Sequence, residues 1–165
     1  MTRNTVDVGI DLGTTNSCAA VMVDGEAEVV RNIEWETDLT PSYVAANSRG
    51  ELEVGSGALN ILREGDGANV AEGFKRLIGR THTWTFPNNG TSYKPEDLSA
   101  IVLQSIRRDI QIVPSFLNED VDSAVITIPA VFGERERSAT LSAAHEAGFV
   151  YAELVQEPIA AGLAY

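Results

Sequence analysis

One cysteine, Cys18, in 165 residues leaves no internal disulfide to form, a usage that suits a reducing compartment. Cys18 stands in the apolar run Ser17–Val23 and is expected to be a buried small side chain rather than a redox sensor. No apolar stretch reaches the length of roughly 20 residues that a membrane-spanning helix needs. The opening Met1-Thr2-Arg3-Asn4-Thr5 has no hydrophobic region of the signal-peptide kind, so the expectation is a cytoplasmic protein. Positive charge is scarce as well: 12 Lys and Arg against 24 Asp and Glu give a formal net charge of −12. That balance disfavours nucleic acid and anionic membranes as partners. The two histidines, His82 and His145, have no ligand-spaced neighbours, which argues against a zinc-type centre. Internal repeats and low-complexity tracts are absent too.

What the chain does have is enough apolar content, 44%, to bury one real core, and a dense polar turn near its start. In Val6-Asp7-Val8-Gly9-Ile10-Asp11-Leu12-Gly13 the apolar residues alternate onto one face of a strand, with Asp7, Gly9, Asp11 and Gly13 on the other. Asp11 therefore ends the strand on a face cleared of bulk. Gly13 is expected to take positive φ, so that the backbone N–H groups of Gly13-Thr14-Thr15-Asn16 form an anion nest completed by hydroxyls. Asp11 would supply a hard oxygen for a hydrated Mg²⁺. The same residues also suit an ordinary hairpin turn. Asp24-Gly25 between two further apolar runs is a two-residue hairpin signal, so the chain opens with three antiparallel strands.

Residues 34–95 are irregular and glycine-rich, which suggests an insertion. Tyr43-Val44-Ala45 and Leu52-Glu53-Val54 read as a strand pair, and Ser56–Leu62 and Ala71–Ile78 as short helices. Pro95, Glu96 and Asp97 then open a longer helix, with Val102, Leu103, Ile106, Ile110 and Val113 at helical spacing. Ser123–Ile128 is a buried-type strand ended by Pro129. Glu134–Ala147 is a helix with small residues on one face and Gly148 at its stop. Val150–Val155 is a strand, and Glu157-Pro158 opens a final helix. Glu119, Asp120 and Asp122 are expected to form a solvated turn.

These residues carry a resemblance. Gly9–Cys18, Thr40-Pro41-Ser42, Phe74–Arg80, Val125–Ala130 with Phe132 and Arg137, and Glu157-Pro158 with Ala160-Ala161 and Leu163–Tyr165 occur in one order along the chain. Together they are similar to the seventy-kilodalton heat-shock chaperones, the DnaK-like family, at the start of their ATPase domain. The resemblance implies an α/β fold, the ribonuclease-H-like half of an actin-like ATPase: a mixed five-stranded sheet with helices, plus an inserted small α+β subdomain. The core would be residues 1–33 and 96–165, and the insertion residues 34–95. The second lobe, with its own phosphate loop and adenosine pocket, and the substrate-binding domain have no counterpart in this sequence.

The resemblance further implies ATP or ADP and Mg²⁺ as ligands. Gly13, Thr14, Thr15 and Asn16 would hold the phosphates, and Asp11 would orient the ion through water. Lys75 would reach the γ-phosphate and the attacking water, although without the resemblance it reads as a solvated lysine beside Arg76. Glu157 would position that water or take its proton, and is equally placed as an acid at a helix N-terminus. Pro129 and Arg137 resemble the pair that relays nucleotide state toward the substrate domain. Arg137, three residues after Glu134, also fits a surface ion pair. Unfolded client peptides and a J-domain cochaperone would be the parent protein's partners, while the 165 residues alone would be inactive.

Several positions depart from the family pattern: Val131 in place of an aromatic residue, Gln156 for asparagine, Ile159 for threonine, Gly162 for alanine, and a short Thr81–Lys94 segment. They point to a specialised paralogue and put exchange-factor binding and the relay in question. An actin-like small-molecule kinase and a non-catalytic binding module are the other classes that the phosphate loop allows.

Overall fold

Alternation of apolar and small residues, read at the start of the sequence, sets the first strand. The computed structural model describes residues 8–116 and 120–163, and the side chains among them up to residue 160. Val6 and Asp7 of the expected strand, Glu119 of the acidic turn and Ala164-Tyr165 fall outside the described residues. Strand β1 covers Val8–Asp11, β2 Asn16–Val23 and β3 Glu26–Val29. Asp24 and Gly25 take φ of 51° and 88° between β2 and β3, the two positive values that a tight hairpin of matching twist requires. Strand β4 is only Thr40–Pro41, β5 is Tyr43–Ala46 and β6 Leu52–Val54. Helix α1 (Ser56–Arg63) precedes β7 (Val70–Glu72), β8 (Trp84–Phe86) and β9 (Thr91–Tyr93). The rest alternates: α2 Pro95–Gln111, β10 Ser123–Ile128, α3 Glu134–Glu146, β11 Tyr151–Gln156 and α4 Glu157–Leu163.

The main sheet is mixed, in the order β11-β10-β1-β2-β3. β1, β10 and β11 run parallel, β2 pairs antiparallel with β1, and β3 antiparallel with β2. It has six strands rather than five, because β4 pairs with Asn16 and Ser17 at the start of β2. A two-residue strand containing proline carries no periodic signal, and proline is tolerated there because the strand is an edge.

One face of this sheet is buried. Val8, Ile10, Leu12, Ala19, Val21, Ala124 and Ile126 pack with Leu98, Val102, Leu103, Ile106 and Ile110 of α2 and Ala143 and Ala144 of α3. The two alanines let α3 come close, and truncating a fully buried leucine such as Leu103 to alanine would cost about 2–5 kcal/mol. α2 starts where Asp97 Oδ2 accepts the Lys94 backbone N–H at 2.8 Å, with Pro95 in the first turn. α3 stops at Gly148, whose φ of 98° suits the left-handed C′ position, and Phe149 N–H closes back onto the Ala144 carbonyl at 3.0 Å. The opposite sheet face is open: Gly9, Ala20, Met22, Ala27 and Val125 line a shallow apolar depression of about 260 Å³.

A three-stranded sheet, β6-β5-β7, and the β8–β9 hairpin occupy the stretch between β4 and α2. The expected helix over Ala71–Ile78 is not formed. Val70 and Ala71 pair with Ala45 and Val44 as strand β7, Gly73 turns the chain at φ 63°, and only Phe74–Leu77 coil, as a 3-10 turn. Eight residues interrupted by a glycine cannot nucleate a helix against that pairing. Asp120 is exposed and Asp122 half-buried, with the Asp122 carbonyl accepting from Tyr151 N–H.

Candidate active site

Parallel strands bring their carboxyl ends to one edge, and that edge collects most of the chemistry. β1 ends at Asp11, β10 runs on into Pro129, and β11 is followed directly by Glu157. Pleating turns Asp11 to the open face, beside Thr127 of β10 and Cys18 of β2 in register. Thr127 Oγ1 donates to Asp11 Oδ1 at 2.7 Å, which fixes one carboxylate oxygen of the exposed Asp11 and leaves the other toward solvent. Cys18 is thus half-buried on the open face and not in the core, contrary to the apolar-run reading. Burial first, and then the Asp11 charge, push its thiol pKa up, so it stays protonated.

The loop after Asp11 is held by a closed ring of hydrogen bonds. Ser42 Oγ donates to the Gly13 carbonyl at 2.8 Å, which uses its single hydrogen. The Ser17 hydroxyl, 2.9 Å away, must then donate to Ser42, and Ser17 Oγ accepts the Gly13 N–H at 3.1 Å. Ser42 N–H adds a bond to the Thr15 carbonyl at 2.8 Å. Gly13 does not take positive φ as expected. Glycine is required instead by close approach, since a Cβ there would collide with the Asn16 carbonyl oxygen. Thr14 is left half-buried, and Thr15 and Asn16 exposed.

Lys75 comes from the 3-10 turn, anchored by buried Phe74, whose ring meets Trp84 edge-on at 6.4 Å. It is no solvated lysine: its side chain is 4% exposed, and Nζ donates to Glu157 Oε1 at 2.9 Å. Glu157 is 45% exposed, so the pair opens to solvent on the carboxylate side. Between the loop and this turn lies a cavity of about 470 Å³ lined by Thr14, Thr15, Tyr43, Glu72, Gly73, Arg76 and Leu77. Arg76 and Tyr43 drew no functional reading from the sequence. The Glu72 hydrogen bond raises the Tyr43 hydroxyl pKa, with burial and the Glu72 charge adding to it.

Pro129 and Arg137 are both half-buried but not linked by any hydrogen bond. The Pro129 carbonyl accepts from Phe132 N–H at 3.1 Å. Among the described residues the Arg137 side chain makes no ion pair, so the surface pair with Glu134 is not formed. No cluster of three His, Cys, Asp or Glu capable of holding a metal exists among the described residues. One solvent-facing carboxylate beside an anion loop fits a hydrated Mg²⁺, which keeps most of its waters and shares phosphate ligands. His145 is exposed, and His82 packs edge-on to Trp84 at 4.3 Å.

A family model described as Hsp70 protein matches residues 7–88 and 81–165. The chain belongs to the Hsp70 family. It is 42% identical over 158 residues to the chaperone protein DnaK of Halobacterium salinarum, and 40% identical over 162 residues to that of Elusimicrobium minutum. Each match covers 96% of this chain, and the chain spans about a quarter of the length of these relatives, 24% and 25%. The Hsp70 chain thus places Asp11 and Glu157 at one carboxyl edge and joins Lys75 to Glu157 from the 3-10 turn, while Arg137 lies apart on α3. No helix among its described residues is long and apolar enough to cross a membrane.

Proposed function

We propose that this chain is lobe I of a two-lobed ATPase domain in a DnaK-like chaperone, with a core of residues 1–33 and 96–165 and an inserted subdomain of residues 34–95. The observation that carries the reading is the buried Lys75 ammonium, paired with Glu157 at the carboxyl edge of the parallel strands. A cation kept out of solvent in a cleft is costly unless it meets negative charge, and a transferring phosphoryl group supplies it.

Thr14, Thr15 and Asn16 bind the β- and γ-phosphates through backbone N–H groups and hydroxyls, while Gly13, whose own N–H is taken by Ser17, sets the turn of a loop whose shape the Ser17–Ser42 ring fixes. Asp11 orients a water-clad Mg²⁺, which when bound neutralises phosphate charge. Lys75 stabilises charge on the phosphoryl oxygens, and Glu157 orients the attacking water or takes its proton. Pro129 and Arg137 carry the signal of nucleotide state toward a substrate-binding domain. Val131 is 90% exposed, which supports a relay altered from the family's usual one.

In the whole protein, slow ATP hydrolysis would control the holding of unfolded client peptides, with a J-domain cochaperone, in the cytoplasm and under stress. A small-molecule kinase is not favoured, given the family match and the Lys75–Glu157 pair. Lobe I alone would be inactive, because phosphoryl transfer needs groups on both sides of the nucleotide. Single-turnover ATP hydrolysis by the two-lobed protein tests the reading. Lys75→Ala should abolish turnover while largely keeping nucleotide affinity, and an unchanged rate would remove Lys75 from the active site.

A further inference from the structure

Arg80, Lys94 and Arg135 converge on one pocket of about 330 Å³, together with His82 and Glu96, and no phosphate-loop residue lines it. Three segments build it: the turn after Gly79, the start of α2 and the start of α3. Gly79, at φ 75°, lets the Arg135 side chain lie against the backbone, where a Cβ would sit 3.0 Å from Arg135 Cγ.

Acids outnumber bases two to one in this chain, 24 to 12, so cations have every chance to find carboxylates. Arg31, Arg49 and Lys75 do so. Arg80, Lys94 and Arg135 make no ion pair among the described residues. Glu96 shares the pocket wall yet pairs with none of them, and its Oε2 is buried without a hydrogen-bond partner. Arg80, Lys94 and Arg135 against Glu96 therefore leave the wall a surplus of two positive formal charges. Like charges held together without counter-charge repel, and an occupant of two negative charges relieves that repulsion. Two guanidinium forks match tetrahedral phosphate oxygens better than a single carboxylate.

We propose that this pocket binds a phosphate monoester group as its dianion, at a site separate from the phosphate loop. Arg80 and Arg135 bind the oxygens, Lys94 adds charge, and Glu96 limits affinity.

Trp84 reports on the pocket because its ring touches His82. In a Trp35→Phe background, which removes the other tryptophan of this sequence, Trp84 emission would be followed against methyl phosphate and inorganic phosphate at fixed ionic strength, and adding Thr14→Val, which removes a phosphate-loop hydroxyl, should leave the response unchanged. Both should give a saturable change that acetate does not give. Arg80→Gln and Arg135→Gln should each weaken binding at least about fivefold, and Glu96→Gln should tighten it. Arg80 and Lys94 are exposed, so Lys94→Gln keeps the test open should the Arg135 variant fold poorly. Absence of saturation with methyl phosphate, an equal response to acetate, or affinity indifferent to the arginine substitutions would overturn the proposal.

Discussion

Ser42 Oγ donates to the Gly13 carbonyl at 2.8 Å, closing across 29 residues a ring that also runs through Ser17 and back to the Gly13 amide. Both serines are buried, so the ring is shielded from competing water. It ties the phosphate loop to the strand after it at both polar atoms of one glycine. The loop geometry therefore depends on a residue that touches no ligand itself.

Ser42→Ala should remove two bonds and leave the Ser17 hydroxyl and the Gly13 carbonyl unpaired in a buried place. The expected cost is about 1–3 kcal/mol in urea unfolding, together with weaker nucleotide binding. Ser42→Thr keeps the hydroxyl and should restore most of the affinity. Equal affinity for the alanine variant and the parent would mean that the ring does not shape the loop.

Lys75 and Glu157 separate stability from chemistry. Lys75→Met replaces a buried ammonium with an apolar chain of similar length and should leave the melting temperature unchanged or raise it, while turnover is lost. Glu157→Gln instead strips the ammonium of its counter-charge. Because Glu157 is 45% exposed, water compensates in part, and the loss should be about 1–2 kcal/mol rather than the larger cost of a fully buried pair. Thermal unfolding of both variants beside single-turnover rates decides this, and a methionine variant less stable than the glutamine one would contradict it.

Elements with local signals were legible in the sequence. The β2–β3 hairpin was marked by Asp24-Gly25, α2 by Pro95 and Asp97, and the end of α3 by Gly148. Elements that owe their existence to distant partners were not. β7 exists because β5 lies beside it, and its Val-Ala-Glu says nothing of that. β8 and β9 lie in the stretch read as irregular, yet they carry a local signal, since Trp84, Phe86, Thr91 and Tyr93 alternate around Asn88-Asn89-Gly90. At the site, Asp11 and the loop followed from alternation, but Cys18 was assigned to the wrong face because its run is apolar on both. The Lys75–Glu157 pair spans 82 residues and came only from the resemblance. Ser42 stands in the Thr40-Pro41-Ser42 block of the resemblance, but nothing in the sequence says that its hydroxyl closes onto Gly13 across 29 residues.

Asp11→Asn keeps a hydrogen-bond acceptor for Thr127, so the strand end should stay intact, but it removes the charge that a hydrated cation needs. In the two-lobed protein the gain in ATP affinity on adding Mg²⁺ should shrink about tenfold or more, while affinity measured in a chelator changes little. Equal losses in both titrations would assign Asp11 a structural role alone.

Asp109 sets a pH dependence that the fold itself explains. Its carboxylate is 7% exposed on α2, where it accepts the Asn32 side-chain amide at 3.0 Å and the Ile33 N–H at 3.3 Å, and so fastens the loop after β3. Burial raises its pKa above 3.8, and the nearby Glu34 charge adds to that; the two hydrogen bonds and Arg108 oppose the rise without cancelling it. A carboxyl with a raised folded pKa holds its proton more tightly in the native state than in the unfolded one. Its contribution therefore favours folding below 3.8, is lost as pH rises through the window up to the raised value, and leaves the ionised form as a cost at neutral pH. Asp109→Asn removes that titration. From neutral pH down through this window the parent should gain stability relative to the asparagine variant, whatever the offset between them at neutral pH from the lost Asn32 bond. Urea midpoints for both proteins at stepped pH measure the difference directly, and parallel curves across the acid range would show that Asp109 is not the group that titrates.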